Sequence, residues 1–200
     1  MASGAHLYLN WAKERIDEMD AVLTSLEGRA AQLTAESAVA AEKIAADLRG
    51  RRDAFLADMK KQAETSEAAW QQAKSRLEAE WNGFQADVKK FVESSGQQLK
   101  QQQTTFEAIA AAQMKAWREA ADQIQGASAE FATDSRAKVE AAVQQMKADA
   151  SVVEANFQKL KQAGNESWTA LNAALTESRS AFDKANQAAW EAFKRARSAA

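Results

Sequence analysis

Of the side chains able to do chemistry, histidine occurs once, as His6, and cysteine not at all. His6 stands in a glycine-flanked N-terminal stretch with no partner at ligand spacing, so neither metal binding nor general-base work is expected of it. The lack of cysteine removes thiolate nucleophiles, thiolate metal sites and disulfides together. Carboxylates crowd one window, Glu14, Asp17, Glu18 and Asp20. They lack the Glu-x-x-His unit of helical di-metal sites, and their spread around a helix predicts a solvated face with acids near a helix start. No glycine-rich phosphate loop, Gly-x-Ser-x-Gly elbow or Asp-x-Asp-x-Asp-Gly calcium loop is present. The expectation is a non-enzyme with no catalytic residue, no metal and no cofactor.

Any such residues would be positioned by helices. The 200 residues include no proline and only 7 glycines, so turns are scarcely punctuated. Alanine, Glu, Lys, Gln, Arg, Leu and Met dominate, the residues that lose least entropy in a helix, and they predict an all-α chain. Leu, Ile, Val and Phe together supply only 32 of the 200 residues. That suffices for a thin apolar seam and not for a thick core. A net charge of -2 leaves no general footprint for nucleic acid, and the basic tail Lys194, Arg195 and Arg197 suits a helix C-terminus. The start of the chain lacks a signal-peptide pattern, and no apolar run approaches the length of a membrane span. The expected location is the cytoplasm, peripheral on a membrane or granule if the helices bind one.

The strongest pattern is a repeat of eleven residues. Between Phe55 and Trp117 the large apolar residues fall on three tracks: Phe55, Leu77, Val88 and Leu99; Met59, Trp70, Trp81, Val92 and Met114; and Phe84, Phe106 and Trp117. Eleven residues make three turns at about 3.67 per turn, so the tracks form one nearly straight stripe instead of a left-handed heptad seam. A heptad-like run from Ala12 to Ile44 extends it backwards. Forwards, a run from Val139 reaches Phe157 and Leu160, and steps of eleven return through Leu171, Phe182 and Phe193, flanked by Trp168 and Trp190.

An unbroken helix of this length would measure roughly 300 Å at the 1.5 Å rise, so an elongated antiparallel bundle or coiled coil is expected. Helices of about 65 residues would make a rod near 100 Å. Residues 1–10 are read as a flexible N-terminal segment and 11–200 as one elongated helical domain. Gly126-Ala127-Ser128 and Gly164-Asn165-Glu166-Ser167 each offer a glycine stop followed by N-cap residues, and Gly50 and Ser94-Ser95-Gly96 are weaker candidates for turns. The repeat keeps its phase across Gly83 and Gly96, which places both inside helices.

Amphipathic stripes usually pack on one another, so the first functional expectation is a structural or scaffold protein that self-associates into a homo-oligomer. Gln62, Ser66, Ser95 and Gln103 dilute this stripe, and its tryptophans are bulkier than knobs-into-holes packing prefers. Such a seam also suits exchange onto a lipid or polymer surface, where an aromatic ring sits well at the boundary. The cation pairs Arg51-Arg52, Lys60-Lys61 and Lys89-Lys90 are interspersed with Glu78, Glu80 and Asp87, which predicts a solvated mixed face. Tandem eleven-residue units resemble those of exchangeable apolipoproteins. The closing segment from Ala181 to Arg195, AFDKANQAAWEAFKR, resembles the alanine-rich helical tails of phasins that coat polyester granules. The resemblance implies coating of a hydrophobic body, a lipid, membrane or granule surface. A helical adaptor for a protein partner is the remaining alternative.

Overall fold

In the computed structural model six α-helices account for nearly all of the described chain: α1 (Ala5–Ala30), α2 (Ala35–Gln62), α3 (Glu67–Ser94), α4 (Leu99–Ala127), α5 (Thr133–Ala163) and α6 (Trp168–Ser198). The structure describes residues 5–30, 35–62, 67–94, 99–129, 131–164 and 166–198. No strand occurs among them. The helices run 26 to 31 residues, about 39 to 46 Å each by the helix rise, far short of the roughly 65 residues that a rod near 100 Å would need.

Helices α1, α2 and α3 pack on one another, as do α4, α5 and α6. The two triplets meet where α1 lies against α4 and α6. Pairings across α1 and α4 descend in register, Ser25 with Thr105, Glu18 with Gln113 and Lys13 with Glu119, so those helices are antiparallel. α4 and α6 run parallel, with Gln113 beside Leu175 and Trp117 on Phe182. Helix α1 thus touches α2, α3, α4 and α6. A helix surrounded in this way cannot keep a wholly polar face in water, and it buries polar side chains along with apolar ones.

The chain does not turn at Gly50, since α2 runs straight through it. Alanine-rich surroundings tolerate a single helical glycine at a cost of about 1 kcal/mol, so Gly50 alone does not stop the helix. α4 ends at Ala127, and the buried Ser128 closes the end, its Oγ donating to the Gln125 carbonyl at 2.8 Å. Gly164 caps α5 at φ 70, a left-handed conformation glycine adopts without strain, and its N–H reaches the Leu160 carbonyl. α6 starts just past Ser167, whose Oγ accepts from the Ala170 N–H at 3.3 Å. Gly83 lies inside α3, where the guanidinium of Arg51 crosses so close that an added Cβ would stand 2.9 Å from Nη1. Gly96 falls outside the described residues. The segment read as flexible, 1–10, is helical from Ala5 onward, and Asn10 is already buried.

Candidate functional site

The apolar stripe is turned inward. On α2 and α3, Phe55, Trp70, Leu77, Trp81, Phe84, Val88 and Val92 are buried and Met59 is half-buried. On α4, Phe106 and Trp117 are buried; Leu99 opens the helix, but its side chain is outside the described set. On α5 and α6, Phe157, Trp168, Leu171, Phe182, Trp190 and Phe193 are buried, with Leu160 half-buried at the margin. Rings from different helices meet edge to face, Phe106 with Phe157 at 5.5 Å and Trp117 with Phe182 at 5.4 Å. Edge-to-face pairs add about 0.5 to 1.5 kcal/mol beyond the burial of their area. Val39 and Val152 are the large hydrophobic side chains left exposed among the described residues.

The second feature is polar and lies where α1 meets α4 and α6. Glu14 and Glu18, one turn apart on α1, are 0% and 1% exposed. Both had been expected on a solvated face. The correction follows from the central position of α1, which turns that face onto α6 and α4. Arg15 Nη1 donates to Glu14 Oε2 at 2.7 Å and to Asp183 Oδ1 at 2.8 Å, while Nη2 donates to Asp183 Oδ2 at 2.8 Å. Arg179 Nε donates to both oxygens of Glu18, at 2.9 and 3.0 Å. Gln113 of α4 donates to Glu18 Oε1 at 2.6 Å and to the Leu175 carbonyl at 3.2 Å. At the end of the row Asn10 donates to Asn186 at 3.4 Å.

Burial pushes the Glu14 carboxyl well above the usual range; Arg15 opposes the shift, and Glu18 and Asp183 add to it. Glu14 Oε1 and Gln113 Oε1, both acceptors when Glu14 is ionised, find no donor. A proton on Glu14 removes one of those deficits and supplies a hydrogen bond to Glu18. Arg15 is held above its ordinary value by the carboxylates of Glu14 and Asp183, which outweigh its desolvation, so it stays charged.

The arginines also form the floor of an open groove of about 490 Å³ between α1, α3 and α6. Arg15 lies over the Trp11 ring at 4.8 Å and Arg179 over Trp81 at 5.4 Å. With its carboxamide oxygen turned inward, Gln85 accepts from Arg179 Nη1 and Nη2 at 2.7 and 2.8 Å. The guanidiniums are therefore spent on the protein, both indole faces are covered by cations, and Arg15 Nε is shut away from solvent. The groove offers an incoming anion little to bind.

Among the described residues no group of His, Cys, Asp and Glu is arranged to hold a metal, and no helix is long and apolar enough to cross a membrane. His6 belongs to α1. No protein-family model, curated protein or solved structure matches the chain. The fold and site define an all-α bundle whose amphipathic helices close on one another around a buried carboxylate–arginine cluster.

Sequence reading found the apolar half of this arrangement and missed Arg15, Gln113, Arg179 and Asn186. The available signal was weak. Glu14, Glu18 and the apolar Ala12, Ile16 and Met19 share a short stretch in which nearly every direction is occupied by a partner helix.

Proposed function

We propose that the protein is a non-catalytic, phasin- or apolipoprotein-like helical protein that stores its apolar stripe inside a closed bundle and opens to lay that stripe on a hydrophobic surface. The observation that carries this reading is the burial of nearly the whole stripe against the chain's own helices. A closed bundle of this kind presents little apolar surface, so any work the stripe does outside the chain requires opening. The buried cluster lowers the cost of opening. Its carboxylates and guanidiniums give up hydration on closure, and such buried networks are often no more stabilising than well-packed apolar residues.

The test is flotation with triglyceride emulsion droplets and with zwitterionic and anionic vesicles, read with near-ultraviolet and far-ultraviolet circular dichroism. The reading expects the protein on droplets or vesicles with helicity kept and tertiary signal lost. Protein that stays in solution with its tertiary signal intact at high surface excess contradicts it. A blue shift of tryptophan emission is a poor readout here, because Trp11, Trp70, Trp81, Trp117, Trp168 and Trp190 are already buried.

Self-association through the stripe draws on the same opening. The successive helices α3 and α4 make little contact with each other, and each triplet packs within itself. Exchange of triplets between two copies would rebuild the contact of α1 with α4 and α6 without new surface, giving a homo-oligomer by swapping. Molar mass measured beside the flotation assay separates the two outcomes.

A further inference from the structure

The buried cluster sets three carboxyls, Glu14, Glu18 and Asp183, against two guanidiniums, Arg15 and Arg179, at one helix junction. With all of them ionised the junction carries one uncompensated negative charge; one proton brings it to neutrality. Glu14 is the group placed to hold that proton. It is fully buried, its Oε1 has no donor, and its neighbour one turn away is another carboxyl. Asp183, by contrast, keeps 38% of its side chain in water and receives both Nη groups of Arg15.

We propose that the Glu14–Glu18 pair is a proton-held clasp: the closed bundle keeps one proton on the pair, and giving that proton to solvent loosens the junction of α1 with α4 and α6. The clasp concerns the closed bundle alone, so its test does not depend on whether the opened chain binds a surface.

The surrounding charges leave no other group to neutralise Glu14. On α1 its charged neighbours are Arg15 and Glu18. α6 brings Asp183 and Arg179. α4 brings the uncharged Gln113, its Lys115 and Glu119 being engaged with Asp17 and Lys13 on another side of α1. From α3, Glu78 lines the groove and pairs with Lys74 at 3.4 Å, and Lys184 of α6 lines the same groove; the charges that act on Glu14 itself are Arg15, Glu18 and Asp183. From α2, Arg49 pairs with Glu27 and Arg52 with Asp20, farther along α1.

The sign follows by linkage. Glu14's value in the closed bundle is raised above its value in the open chain. The open chain therefore releases the proton first as pH rises, and the closed form is progressively disfavoured between the ordinary carboxyl range and the raised value. One proton corresponds to a change of about tenfold in the open-to-closed ratio per pH unit across that window.

Urea unfolding of the full chain at steps from acid to mildly alkaline pH, for the native protein and Glu14→Gln, reads this directly. The amide keeps the size and a donor for Glu18 without a titratable proton. The native protein is expected to lose stability as pH rises through the window, while Glu14→Gln shows a flatter profile and exceeds the native protein at the alkaline end. Parallel profiles overturn the proposal, and so does a Glu14→Gln that is less stable at every pH. Carbon-13 resonances of the glutamate carboxyls in the native protein give a second measurement, independent of the variant's folding. One glutamate still protonated above the ordinary range and assigned to Glu14 supports the clasp. All glutamates titrating in the ordinary range contradict it.

Discussion

Arg179 sets its Nε across both carboxylate oxygens of Glu18, at 2.9 and 3.0 Å, and so ties the last helix to the first across 161 positions of sequence. Both side chains are almost wholly removed from water, at 7% and 1% exposure. Such a pair fixes which helices meet and in what register, while contributing modestly to net stability, because desolvation offsets most of the attraction.

Removing one partner is therefore far worse than removing both. Arg179→Met is expected to cost about 3 to 5 kcal/mol, because Glu18 is left buried without its cationic partner. Arg179→Met with Glu18→Leu should recover most of that loss. A double-mutant cycle by urea denaturation checks this, and additive losses would show that the two residues act independently.

The stripe predicts a steep contrast between inward and outward apolar positions. Trp117→Ala removes a buried ring that stacks edge-on against Phe182, and is expected to cost about 3 to 5 kcal/mol. Val152→Ala, at a position 63% exposed, should stay within about 0.5 kcal/mol. Thermal and urea unfolding of the two variants give the comparison.

On the α4 side of α1 the pH dependence runs the other way from Glu14. The hydrogen bond from Lys13 holds the Glu119 carboxyl below its ordinary value, aided by the charges of Lys13 and Lys115. A lowered carboxyl stabilises the fold above its ordinary range and loses that contribution as pH falls through the lowered value. Both partners are over 40% exposed, so Glu119→Gln is expected to cost no more than about 1 kcal/mol at neutral pH and nothing in strong acid. Urea midpoints at neutral and acid pH check the direction.

Helices of at most 31 residues, folded in two triplets, cannot make a long rod. Small-angle scattering should give a maximum dimension of about 60 Å for the monomer, from the helix length plus side-chain diameters. A dimension near 100 Å with monomeric mass would contradict the packing.

How much of this was legible in the sequence depends on the element. The eleven-residue tracks through Trp70, Trp81, Phe84 and Val88 mark the buried face of α3 because a period near 3.67 keeps one face toward the core for the length of the helix. The same regularity hid the helix count. The repeat keeps its phase from Met59 in α2 to Trp70 in α3, from Val92 in α3 to Met114 in α4 and from Phe84 in α3 to Phe106 in α4, although each pair lies on different helices. Gly164 was readable because a left-handed cap selects glycine, whereas Gly50 carries no such signal. The buried cluster was not readable from spacing. Glu14 and Glu18 look like surface acids until α6 brings Arg179 and Asp183 against α1, and that contact depends on the fold of the whole chain.

In the proposed function the stripe reaches a hydrophobic surface only when the bundle opens. Ser25 of α1 and Thr105 of α4 hold their hydroxyls 3.0 Å apart, and the chain has no cysteine of its own. The double variant Ser25→Cys/Thr105→Cys can therefore close a disulfide between the two triplets, where side-chain atoms already stand near bonding distance. Flotation with triglyceride droplets of the reduced and oxidised forms decides the matter. Opening of the bundle predicts that the reduced form floats and the oxidised form stays in solution, with binding restored on reduction; equal behaviour of the two forms, bound or unbound, contradicts it.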